Sequence, residues 1–181
     1  MNRTTWNLRD ILVLALLIRI ISIPATPRLS DDVYRFIWDG HVILNGMIPY
    51  EHRPSDIEKL IDQPFLFKRL NSQDYHSVYP VINQIAFVGS ACIYKWFGFH
   101  AGTIFLRLFL ALCEISTIWL LLRWLNKMQI PYERLGWIVL NPLIIIETYG
   151  NLPFEMVMIG FLLLGLIHAH SPIKKGLALA L

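Results

Sequence analysis

The chain alternates between long apolar runs and one long polar interval. Apolar runs occupy residues 8–24, 81–99, 101–124, 135–149 and 152–170, whereas residues 25–79 hold no run long enough to cross a bilayer. About 20 apolar helical residues span the hydrocarbon core. The pattern therefore predicts an all-α, polytopic membrane helical bundle with a large loop after the first span. Pro24 and Pro27 close the first run, and Arg3 and Arg9 precede it. No clean small-residue cleavage site follows, so it reads as an uncleaved helix and not a signal peptide.

Within the loop, Ser30, Asp31 and Asp32 make a good helix start, a capping side chain followed by acids that suit the positive end of the helix dipole. Val33, Phe36, Ile37, Val42, Ile43 and Leu44 then recur with helical, amphipathic spacing until Gly46 and Pro49. The spacing predicts an interfacial helix, lying in the membrane surface. One or two more short helices are expected between Ile57 and Leu70. Residues 25–79 read as an extramembrane loop within one domain, 1–181. At the other end Lys174 and Lys175 precede Gly176–Leu181, which reads as the opening of a further span and of something longer.

Composition sharpens the class. The chain is 55% hydrophobic and 16% charged, against about 45–50% and about 25% in ordinary globular domains. A net charge of +3 with no basic, aromatic-interleaved run gives no nucleic-acid signature. Cys92 and Cys113 lie inside apolar runs and read as small buried hydrophobes. Orientation is contradictory. With the N-terminus inside, Arg3, Arg9 and Lys95 fall inside and most other basic residues outside, the reverse of the usual bias.

Charged groups inside apolar runs are costly and mark either helix glue or function. Arg19 sits near the end of the first run, placed to snorkel or to meet a phosphate. Arg107 and Glu114, seven residues apart, share a helix face without reaching each other. The stretch Glu147–Glu155 carries a Gly/Asn/Pro break that must face protein or a wet cavity. The densest chemistry is at residues 31–39. Asp31 has Arg35 at i+4, a favourable order, and Asp32 and Asp39 share a face. An acid held beside a cation suits a general base. Tyr34, Trp38 and Tyr50 fit an aromatic belt or a sugar platform. His41, His52 and His76 have no helical metal-pair spacing, and no hydrolase elbow, phosphate loop or CxxC occurs.

The run LSDDVYRFIWDGHVILNGMIPY, residues 29–50, resembles the first external loop of GT-C-type integral-membrane glycosyltransferases, above all bacterial polyprenol-phosphate-mannose-dependent mannosyltransferases. Residues 140–147 and 150–155 resemble a second motif of that group, and Tyr79-Pro80 fits as well. One departure is Pro153, where a histidine is expected between Leu152 and Phe154. The resemblance implies a multi-pass enzyme of the bacterial inner membrane. It would move a hexose, mannose above all, from a polyprenyl-phosphate sugar donor to a glycan or lipid acceptor. It implies Asp31 or Asp32 as catalytic base, Arg19 and Arg35 against the donor phosphate, and Tyr34, Trp38, Asp39, Asn151 and Glu155 around the substrates. It implies no cofactor and no metal, and membrane lipids as partners. Two other readings stand beside it: a lipid or polysaccharide transporter subunit with Arg19, Arg107 and Glu114 along a path, and a non-catalytic membrane fragment.

Overall fold

The computed structural model describes residues 7–25, 30–152, 154–168 and 176. Arg3, Pro27, Arg28, Leu29, Pro153, Lys174 and Lys175, and with them the reading of a further span, lie outside the described residues. Every regular element among the described residues is helical: α1 (Leu8–Ser22), α2 (Asp32–Leu44), α3 (Pro54–Ile61), α4 (Pro64–Phe67), α5 (Val81–Lys127), a 3-10 turn at Tyr132–Leu135, α6 (Gly136–Val139), α7 (Pro142–Ile146), a π-helical turn at Glu147–Asn151 and α8 (Glu155–Ile167). Among them α5 alone is long and apolar enough to cross a membrane by length and composition.

The chain forms two compact units, one of residues 26–109 and one of residues 1–25 with 110–181. In the first, α5 is not one rod. Gly98 carries φ 81° and ψ −177° inside the helix, a backbone that a residue with a Cβ rarely adopts. Residues 89 and 105 would lie about 24 Å apart along a straight helix. Instead, a Cβ on Gly89 would stand 2.5 Å from the Phe105 ring, and the Ser90 hydroxyl donates to the Gly102 carbonyl at 2.9 Å. Residues 81–97 and the start of 99–127 thus form a helical hairpin with its elbow at Gly98. Its arms correspond to the runs 81–99 and 101–124.

Helix α2 is the centre of this unit. The expected interfacial helix would bury one face, but Val33 and residues 35–42 are all buried. The correction has a physical cause: the polar positions are covered too, Arg35 by pairing with Asp39 and by the chain at 72–75. Gly40 makes the close approach to the hairpin possible, because a Cβ there would come 2.1 Å from the Phe87 carbonyl oxygen and 2.8 Å from the Ala91 Cβ. Gly40→Ala is expected to destabilise the protein by about 2–3 kcal/mol through overpacking. A thermal or denaturant melt in detergent measures the loss, and an unchanged midpoint would contradict this packing. The short helices expected between Ile57 and Leu70 appear as α3 and α4; Ile57, Ile61, Leu66 and Leu70 turn inward.

In the second unit, Ile11 and Ala15 of α1 pack with Leu121, Leu135, Val139 and Leu163. Gly160 of α8 lets the helix approach α5, since a Cβ there would lie 2.7 Å from Thr117 Oγ1. Large apolar side chains also face outward in stripes. Val13, Leu16, Leu17, Ile20 and Ile21 do so on α1, Val81, Ile85 and Trp96 on the first arm of α5, and Met158, Ile159, Leu162 and Leu166 on α8. Cys92, read as buried, is exposed on the α5 stripe, and Cys113 is half-buried; both are free thiols.

Candidate active site

The start of α2 follows from local chemistry. The Ser30 hydroxyl accepts from the Asp32 N–H at 3.1 Å, and Asp31 occupies the cap position. This arrangement separates the two acids. Asp31 is exposed, whereas Asp32 is half-buried and lines a cavity of about 380 Å3 with Arg35, Asn71, Ser72, Tyr75, His76, Val78 and Tyr79. Asn71 Nδ2 donates to Asp32 Oδ1 at 3.2 Å.

Arg35 pairs with Asp39, not with Asp31. Its Nε donates to Asp39 Oδ1 at 2.7 Å, with both side chains buried. Its Nη1 donates to the Ser72 carbonyl at 2.8 Å, the Tyr75 carbonyl at 3.0 Å and the Ser72 hydroxyl at 3.1 Å. The guanidinium therefore pins the segment 72–75 onto α2 and fixes one wall of the cavity. Its Nη2 is buried and has no hydrogen-bond partner. A buried cationic donor left unmatched is costly, and an acceptor oxygen would satisfy it. Burial pushes the Asp39 carboxyl above the usual carboxylate range, opposed by the Arg35 charge beside it. Ser77 and Gln84 stand near Asp39, although its Oδ2 makes no hydrogen bond of normal geometry.

Tyr34 and Trp38 differ. Tyr34 is half-buried, stacked 4.9 Å from Phe99 and edge-on to Phe65. Trp38, expected beside a substrate, is fully buried and tilted against Phe67 at 5.6 Å. That position makes it a core side chain, because a ring with no exposed face offers no platform to a sugar.

His41 is buried against the Tyr94 ring, and burial lowers its proton affinity, helped by the Lys95 charge. A folded-state pKa below the unfolded value near 6.5 means that the unfolded chain binds the proton more tightly. Stability is then full above about pH 6.5 and falls as pH drops through the folded value. Melts between pH 5 and 7.5 are expected to lose this slope in His41→Leu; an identical slope in both proteins would contradict it.

The remaining candidates belong to the other unit. Arg19 is buried and committed to protein partners. Its Nε donates to Glu114 Oε2 at 2.8 Å, its Nη2 to Glu114 Oε1, and its Nη1 to the Ala15 and Val139 carbonyls at 2.9 Å each. Tyr149 adds its hydroxyl to Glu114 Oε2 at 3.0 Å. Arg19 thus stands in a buried ion pair, and Glu114 has its partner on α1. Asn151 Nδ2 donates to Glu147 Oε2 at 2.7 Å within the π-helical turn, and its Oδ1 is buried without a partner. Leu152 follows in the left-handed region at φ 60°. Glu155 is exposed at the start of α8.

Sequence reasoning passed over Asn71, Ser72 and Tyr75 and weighed His76 only as a metal ligand. The available signal was the unbroken polar stretch Asn71–His76 between apolar Leu70 and the Tyr79-Pro80 pair.

With this geometry in place, comparison with known proteins adds one finding. Residues 3–180 match the family described as alpha-(1->6)-mannopyranosyltransferase, N-terminal domain, the MptA_B family. The chain belongs to this family. No curated protein and no solved structure matches the chain. Membership in this mannosyltransferase family agrees with the resemblance at residues 29–50 and makes a sugar donor and an acceptor the substrates in general terms.

Proposed function

We propose that this domain contributes the acceptor-activating end of a membrane mannosyltransferase that draws mannose from a polyprenyl-phosphate donor, with Asp32 as general base. In this reading the Asp32 carboxylate takes the proton of the acceptor hydroxyl. The freed oxygen forms a bond to the anomeric carbon, and the bond from that carbon to the phosphate oxygen breaks. Polyprenyl phosphate leaves with the electron pair. Arg35 faces the developing negative charge, a contact strengthened by burial.

The observation that carries the reading is the cavity shared by Asp32 and Arg35, with the buried Arg35 Nη2 still lacking an acceptor. The same geometry favours Asp32 over the exposed Asp31. The outward apolar stripes on α1, α5 and α8 support a multi-pass location, since soluble surfaces rarely present contiguous apolar area of this extent. Arg19 has its donors taken by Glu114 and two carbonyls, so the reading assigns it to holding helices together. Asn151 remains a candidate for a substrate hydroxyl. The test is mannosyl transfer by Asp32→Asn in the full-length protein: loss of transfer with normal membrane insertion supports the reading, and undiminished transfer overturns it.

A further inference from the structure

The elbow of α5 carries chemistry that acceptor activation does not use. Gln63, Phe65, Tyr94, Lys95, Gly98 and Phe99 line a cavity of about 470 Å3 there. Its lining includes an ammonium, an amide and a phenol, and no carboxylate. Beside it Arg69 lies 4.1 Å from the centroid of the Phe65 ring, within cation–π distance. Neither Lys95 nor Arg69 forms an ion pair with a described carboxylate. The lowered proton affinity of buried His41 reflects in part the charge of Lys95. Just before Gly98, Trp96 and Phe97 are 78% and 73% exposed.

Resting on the membrane reading above, the geometry points to the elbow as a binding site for the phosphate of an anionic phospholipid from the surrounding bilayer. Trp96 and Phe97 enter the interface, where large aromatic side chains are favoured. Lys95 and Arg69 meet the headgroup phosphate, and Gln63 and Tyr94 supply hydrogen bonds to its oxygens. A free anion in water would have no use for two outward indole and phenyl rings. A zwitterionic headgroup would gain less from two cations that form no ion pair with a described carboxylate. The site is separate from the Asp32 cavity, since the two share no lining residue.

The experiment uses the full chain in nanodiscs. Insertion is first scored by resistance to alkaline carbonate extraction. Lipid retained after exchange is then measured by native mass spectrometry for phosphatidylglycerol against phosphatidylcholine, with inorganic phosphate as competitor. The expected result is a preference for phosphatidylglycerol that phosphate does not displace. Each basic residue near an anionic surface contributes about fivefold. The Lys95→Gln, Arg69→Gln double variant should therefore lose preference by about tenfold or more, while Asp32→Asn keeps it. Equal retention of both lipids, an unchanged preference in the double variant, or displacement by phosphate overturns the inference with the membrane reading intact. A chain that fails carbonate extraction overturns both.

Discussion

Asp32→Asn is expected to lower the rate of mannosyl transfer by about 10²–10⁴, the usual contribution of a positioned general base, while donor binding and membrane insertion stay near normal. The substitution is close to isosteric. An asparagine at 32 still presents an oxygen to Asn71 Nδ2, and the Ser30 hydroxyl still accepts from its backbone N–H, so the fold has little to lose. What disappears is the capacity to accept a proton. Asp31→Asn is the matched control, because Asp31 is exposed and outside the cavity lining; it should retain most activity. Single-turnover transfer with a synthetic polyprenyl-phosphate mannose, at saturating acceptor, separates chemistry from binding. A dead Asp31→Asn enzyme beside an active Asp32→Asn enzyme would reverse the assignment.

Glu114→Ala is expected to cost about 3–5 kcal/mol of stability, the penalty for leaving a buried charge without its partner. The Arg19 guanidinium would keep only the Ala15 and Val139 carbonyls, and Tyr149 would lose an acceptor. The pair itself need not be stabilising relative to apolar packing. An Arg19→Met, Glu114→Leu double variant should recover much of the loss, as replacement of buried ion pairs often does. Denaturant titrations of Arg19→Met, Glu114→Leu and the double variant against the parent give the coupling energy directly. A mild Glu114→Ala phenotype, or strictly additive losses, would mean that the pair does not hold α1 to α5 in the way its hydrogen bonds suggest.

What could be read from the sequence was local in origin. Ser30 with two acids announced the start of α2, and the turn residues Gly46 and Pro49 announced its end, because caps and breakers act within a few residues. The two arms of α5 were separable as runs 81–99 and 101–124, although the hairpin had to be seen in the Gly89–Phe105 and Ser90–Gly102 contacts. Long-range pairing was not legible. Glu114 lies 95 residues from Arg19, and neither apolar run indicates which charged residue of the other it meets. Helix α2 looked amphipathic for the same reason. Arg35 is paired with Asp39 and with the backbone at 72–75, so a pattern that would suit a surface is enclosed over residues 35–42. At the candidate site, acids were visible by type, but their separation depended on Asn71 and His76, some 40 residues on in the chain.

On the proposed membrane reading, the first arm of α5 bears on the lipid around the protein. At 1.5 Å per residue the arm 81–97 measures about 25 Å, against a hydrocarbon slab near 30 Å. Set across the proposed bilayer, that arm falls short of its thickness. In the membrane setting proposed above, lipids beside residues 81–97 would compress, drawing the headgroup plane inward on the flank that carries Val81, Ile85 and Trp96. The polyprenyl chain of the proposed donor, arriving there, would meet a thinned bilayer and would need less lift to bring its phosphate to the surface.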